Sequence, residues 1–182
     1  MKCLYVKTIG PVEESTLNFV TNHLSMLTPF TVKITKSSEY PLFAFEPKRN
    51  QYYSKKIIEK LAIELPKDCE KLIAITDIDL CTPVLSFVFG EAQLDGKIAI
   101  VSYRRLQQEF YKLPNNHNLT QVRLLKECVH ELGHCYGLYH CNNTQCVMFF
   151  SHTIFNIDGK QCDFCVRCRE FVNEKMEKEK HA

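Results

Sequence analysis

Apolar positions change period several times along the chain, and each change marks an element. Leu4 to Ile9 is a short, mostly apolar run closed by Gly10 and Pro11, which predicts a first strand. Leu17, Val20, Leu24 and Leu27 recur at helical spacing and predict an amphipathic helix that stops before Pro29. Thr31 to Thr35 is β-branched and reads as a second strand. Ser37 to Asn50 carries Pro41 and Pro47 and reads as loop or irregular strand. Ile57, Ile58, Leu61, Ala62 and Leu65 give a second helix that closes at Pro66. Leu72 to Thr76 is nearly all apolar, as expected of a strand covered on both faces.

Val84 to Phe89 and Lys97 to Ser102 predict two more strands, and Asp95-Gly96 between them is a hairpin signal. Asn115 to Asn118 supplies an N-cap for a further helix with the stripe Val122, Leu125, Val129 and Leu132. Glu170 to Lys180 reads as a charged terminal helix, largely solvated. Alternating helix and strand predict an α/β sheet with helices packed against it. No repeat or low-complexity linker divides residues 1–182, so one domain is expected.

The densest chemistry lies at the end of the helix opened by Asn115 to Asn118. Residues 130–140 read H-E-x-x-H-x-x-G-x-x-H. Four residues apart on a helix, His130 and His134 leave one face and can share a metal ion. Glu131 sits where its carboxylate can take a proton from a metal-bound water. Gly137 permits the left-handed turn that ends the helix, after which His140 can return as a third ligand. Three histidines leave a fourth zinc position open, the mark of a catalytic site. A second cluster follows: Cys141, Cys146, Cys162, Cys165 and Cys168. Cys141, Cys146, Cys165 and Cys168 are the expected ligands of a tetrahedral structural zinc, with Cys162 left over. A pairing of Cys162 with Cys165, leaving Cys168 spare, stays open.

These residues resemble the archaemetzincin family, whose pattern is HExxHxxGxxHC, a Cys after four residues, a Met two further on, and a later CxxC. Here the chain reads HELGHCYGLYHC-NNTQ-C-V-M, with Cys165 and Cys168 following. The stretches Ile75 to Ala92 and Ser102 to Leu106 are also similar to that family. The resemblance implies a zinc peptidase acting on peptides or proteins, with aminopeptidases among its members. It implies a metzincin-like fold: a twisted, mostly parallel sheet with an antiparallel edge strand, packed on the active-site helix. An upper subdomain would run to about residue 137. A lower one, about 138–182, would carry the four-cysteine zinc. Met148 would be the structural Met-turn beneath the catalytic zinc, not a ligand. Val84–Gly90 would be the edge strand along which substrate lies. The alternative is a catalytically silent zinc protein that binds partners through its cysteine element.

Composition narrows the remainder. Apolar residues make up 45% and charged residues 24%, with a formal charge of +2, so neither nucleic acid nor a membrane is an expected partner. No apolar run is long enough to span a bilayer. The N-terminal residues show no apolar h-region or cleavage pattern, so a reducing cytoplasm and a monomer are expected. Asp77, Asp79, Arg104 and Arg105 read as turn or structural residues. His23, His117 and His152 have no partner at ligand spacing. Cys128 and Cys135 read as small buried apolar residues, and packing is the expected role of Tyr136 and Tyr139.

Overall fold

The computed structural model describes residues 2–181. Strand β1 (Cys3–Ile9), helix α1 (Glu14–Leu27) and strand β2 (Thr31–Ser38) open the chain. Two short strands, β3 (Phe45–Glu46) and β4 (Gln51–Tyr53), lead into α2 (Ser54–Ile63). Then come β5 (Cys69–Thr76), β6 (Leu80–Cys81), β7 (Gly90–Ala92) and β8 (Ile98–Ser102). Helices α3 (His117–Cys135), α4 (Ile154–Gly159) and α5 (Val166–His181) complete it. The main sheet has the order β2-β1-β5-β8-β7, with the first four parallel and β7 antiparallel at the edge. This is the expected mixed α/β class: a mostly parallel sheet with one antiparallel edge strand.

Side-chain alternation decides what covers the sheet. Leu4, Val6, Ile73, Ile75, Ala99 and Val101 share a core with α1 and α3. Their neighbours Cys3, Tyr5, Leu72, Ala74, Ile98 and Ile100 share one with α2. Because both faces are covered, every residue of β5 is buried, including Glu70 and Lys71. Lys71 Nζ is paired with Glu179 Oε1 of α5 at 2.8 Å. Thus α5 is not simply a solvated tail: Cys168, Val172 and Met176 dock one face of it into the core beside α3.

Helix α3 starts as the sequence predicts, with Asn116 Oδ1 accepting from Leu119 N at 3.0 Å. Its burial goes well beyond the apolar stripe, since Arg123, Lys126 and Glu127 are buried too. These polar residues bind the chain that follows. Arg123 grips Asp158 bidentately at 2.7 and 2.6 Å, and Lys126 Nζ donates to the last carbonyls of α4, Ile157 O and Asp158 O.

The predicted hairpin forms around Asp95 and Gly96, but the antiparallel partner of β8 is Gly90–Ala92, whereas Val84–Phe89 is irregular with one isolated bridge at Val88. Two carbonyls of that segment are occupied from elsewhere: the Arg49 guanidinium donates to Leu85 O and Ser86 O, and also to Thr82 O just before it, while Phe89 O accepts from Ser102 N of β8. A side chain has taken the acceptors a ladder would have used. Among the described residues, no helix is long and apolar enough to cross a membrane.

Candidate active site

Helix α3 ends in a Schellman motif. Gly137 takes φ +92°, its N–H donates to His134 O at 2.9 Å, and Leu138 N donates to Gly133 O at 3.0 Å. The turn reverses the chain and brings His140 back over the helix. The ring nitrogens of His130, His134 and His140 include ligand atoms that all lie within 4.8 Å of one another.

Two of the rings are oriented by backbone carbonyls. His130 Nδ1 donates to Val147 O and His134 Nδ1 to Leu138 O, each at 2.7 Å. With both Nδ1 atoms carrying their protons, the two Nε2 lone pairs face each other at 3.1 Å. That arrangement is repulsive unless a cation lies between them. Two imidazole ligands on a tetrahedral zinc stand about 3.3 Å apart, so the donor set fits that ion. Burial pushes the pKa of all three histidines down, furthest for His130, and keeps them in the neutral form a metal needs.

Glu131 lies on the same helical turn, buried, with its carboxylate against the backbone of Gly90 on β7. A Cβ at Gly90 would come within 2.7 Å of Glu131 Cγ and Oε1. Burial raises the pKa of Glu131 well above the usual carboxylate range, and neighbouring Glu127 raises it further while Lys160 opposes. Beneath the site, Met148 is fully buried, and a Cβ at Gly133 would meet its Sδ. Lys160, with no exposed side-chain surface, pairs with Glu127 at 2.9 Å and reaches to 3.5 Å from His130 Nδ1.

A cleft of about 510 Å³ opens over His130, Glu131, His134 and His140. β7 forms one wall, Thr82, Leu85 and Ser86 another, and Tyr139, Phe150 and His152 the far rim. Phe150 stands 4.6 Å from the His140 ring and 4.3 Å from that of His152, so His152 joins the cleft through an aromatic contact. Tyr139 is not packed as expected but 74% exposed on the rim, whereas Tyr136 is buried with Lys71 Nζ 4.6 Å from its ring centre. Of the residues set aside in the sequence, Asp79 holds Arg105 at 2.7 Å, while Cys128 and Cys135 are buried on α3.

The sulfurs of Cys141, Cys146, Cys165 and Cys168 gather within 4.8 Å of one another, and Cys162 is outside the group. The Cys141 and Cys165 sulfurs are 3.9 Å apart, close to the 3.8 Å or so of two thiolates on one tetrahedral zinc. Cys165 N donates to Cys146 Sγ at 3.3 Å, and the backbone N–H of Cys168 lowers the pKa of the Cys165 thiol. Four partly or wholly buried thiols with no disulfide among them form a donor set that fits a thiophilic metal.

The sequence profile described as Peptidase family M54 matches residues 17–174. The chain belongs to peptidase family M54. Like its M54 relatives, it is a zinc metallopeptidase, and its substrates are peptides or proteins. The archaemetzincin of Methanocaldococcus jannaschii is 34% identical over 170 residues, covering 93% of this chain and 92% of its own. That of Saccharolobus solfataricus is 35% identical over 179 residues, covering 98% and 96%. The crystal structure of the Methanopyrus kandleri archaemetzincin superposes with a TM-score of 0.84 at 30% identity, over 97% of this chain and 96% of that one. A zinc-dependent peptidase from Methanocorpusculum labreanum gives 0.85 at 31% identity, over 93% and 100%.

The motif did not point to the neighbours of Glu131 and His130. Gly90, Gly133, Glu127 and Lys160 were not singled out in the sequence. Glu127 alone had a local signal, lying three and four residues before His130 and Glu131 on the same helical face.

Proposed function

We propose that this M54 peptidase cleaves peptide bonds at a zinc ion held by His130, His134 and His140, with Glu131 as general base. The observation that carries the reading is the pair of opposed Nε2 atoms, each ring fixed by a backbone carbonyl, with a buried carboxylate beside them. Zinc bound there supplies Lewis acidity toward water and toward a carbonyl oxygen. Glu131 takes the proton of the attacking water as its oxygen bonds to the scissile carbonyl carbon. It then gives that proton to the amine nitrogen as the C–N bond breaks.

An extended substrate lies along the open edge of β7, Gly90–Ala92, rather than along the irregular Val84–Phe89, because β7 is the paired strand that ends the sheet at the cleft. A second zinc, held by Cys141, Cys146, Cys165 and Cys168, fastens the segment after His140 to α5, and Met148 packs as the floor. We read residues 1–182 as one catalytic domain, upper to about 137 and lower from about 138, working as a monomer in the cytoplasm. The test is a mixed peptide library incubated with the zinc-loaded chain and read by mass spectrometry, with a chelator control. Chelator-sensitive cleavage supports the proposal, and the product ends separate trimming from internal cutting. No cleavage by fully loaded protein counts against it.

A further inference from the structure

The stretch of cleft wall that includes Thr82, Leu85 and Ser86 is unusual in what holds it. Thr82–Ser86 belongs to no strand. Val84 is 90% exposed and Leu85 49%, so burial does not fix it. Behind the same segment lies a second, open hollow lined by Arg49, Gln51, Val84, Leu85, Ser86 and Arg105. The wall therefore stands between two open spaces, with little packed against either side.

Its fixed points are polar. Arg49, at the end of the β3–β4 turn, donates Nη1 to Thr82 O at 2.8 Å, and Nη2 to Leu85 O at 2.7 Å and Ser86 O at 2.6 Å. Gln51 Nε2 adds a bond to Ser86 O at 2.9 Å, and Gln51 Oε1 accepts from Arg49 Nε at 2.9 Å, which aims the guanidinium. Charge-assisted bonds of this kind are the strong ones, and the planar fork reaches three carbonyls that one ammonium would not. With those carbonyls turned to Arg49, what the wall gives the cleft near Leu85 is apolar side chain rather than backbone acceptor. Phe87 continues the surface, its ring 4.2 Å from the Arg105 guanidinium.

We propose that Arg49 is a positioning residue of the peptidase. It holds the Thr82–Ser86 wall in place, and the wall so held selects substrates with a bulky apolar side chain beside the scissile bond. This rests on the cleft being the peptide site, as proposed above. Two peptides that differ only in that residue, leucine against serine, are assayed with wild type, Arg49→Ala and Arg49→Lys at equal zinc content. Wild type should favour the leucine peptide. In both variants its KM should rise about tenfold, the equivalent of 1.4 kcal/mol, with kcat little changed and the serine peptide hardly affected.

An equal change for both peptides, or none, overturns the proposal. Full recovery in Arg49→Lys overturns the role of the fork. Amide hydrogen exchange of residues 82–86 gives a reading independent of turnover. It should accelerate in Arg49→Ala while α3 stays protected, and unchanged exchange overturns the proposal. Wild type that cleaves neither peptide would strike at the function, while the exchange result would still decide the bracing.

Discussion

Lys160→Met is the perturbation whose cost the structure sets most sharply. Lys160 exposes no side-chain surface and Glu127 only 4%, and they meet at 2.9 Å. At an effective dielectric of about 20 that separation is a gross attraction of about 6 kcal/mol, most of which offsets taking both charges out of water. Removing Lys160 strands the Glu127 carboxylate in the core, and removing Glu127 leaves Lys160 Nζ with Phe149 O at 3.4 Å and the His130 ring at 3.5 Å. The expected loss is about 3–5 kcal/mol for either Lys160→Met or Glu127→Leu. At about 2–4 °C per kcal/mol in a chain of this size, the melting point should fall by roughly 6–20 °C. The double variant removes both charges and should be at least about 2 kcal/mol more stable than the sum of the singles predicts. Thermal and denaturant unfolding, each with saturating zinc and with chelator, keeps zinc linkage out of the comparison. Single losses below about 1 kcal/mol, or a strictly additive double variant, would refute the coupling.

Gly90→Ala places a methyl group where Glu131 now lies, so kcat should fall about 100-fold with zinc retained; wild-type turnover would show that Glu131 has room to spare. Cys165→Ser should release about one zinc per chain and lower the melting temperature by roughly 10 °C or more; unchanged metal content would remove the four-cysteine site from the account. In zinc-stripped protein, burial holds the pKa of His130, His134 and His140 below their unfolded value of about 6.5. As pH drops past that value the unfolded chain takes up more protons than the folded one, so this stability is present above about pH 6.5 and lost below it. In a Glu131→Gln background, which removes the opposing titration of that buried carboxyl, the denaturant midpoint should therefore fall between about pH 7.5 and pH 5.5. A rising midpoint contradicts the assignment.

What could be seen in the sequence was local. The 130–140 motif works through helical spacing and one glycine, and Gly137 does take the positive φ that its position asks for. The both-faces burial of β5 followed from the nearly all-apolar run Leu72–Thr76, although burial extends to Glu70 and Lys71 before it. Val84–Phe89 has the composition of a strand, yet the guanidinium that takes two of its carbonyls comes from Arg49, far away in sequence. No periodicity carries that information. Lys160 carries no sequence signal of its own, and only the fold places it near His130. Gly90 and Gly133 matter for the space they leave to Glu131 and Met148, which depends on packing between distant elements. Tyr139 was misjudged because an aromatic beside a ligand packs inward or rims a cleft with equal local sense.

The central claim is that Glu131 moves the proton at a three-histidine zinc. Its most direct test is the kcat/KM of wild type against Glu131→Gln on one cleaved peptide, with zinc content measured in both samples. The account predicts equal zinc and a loss of at least about a thousandfold, set by removal of the base. Turnover within tenfold of wild type at equal zinc would contradict it.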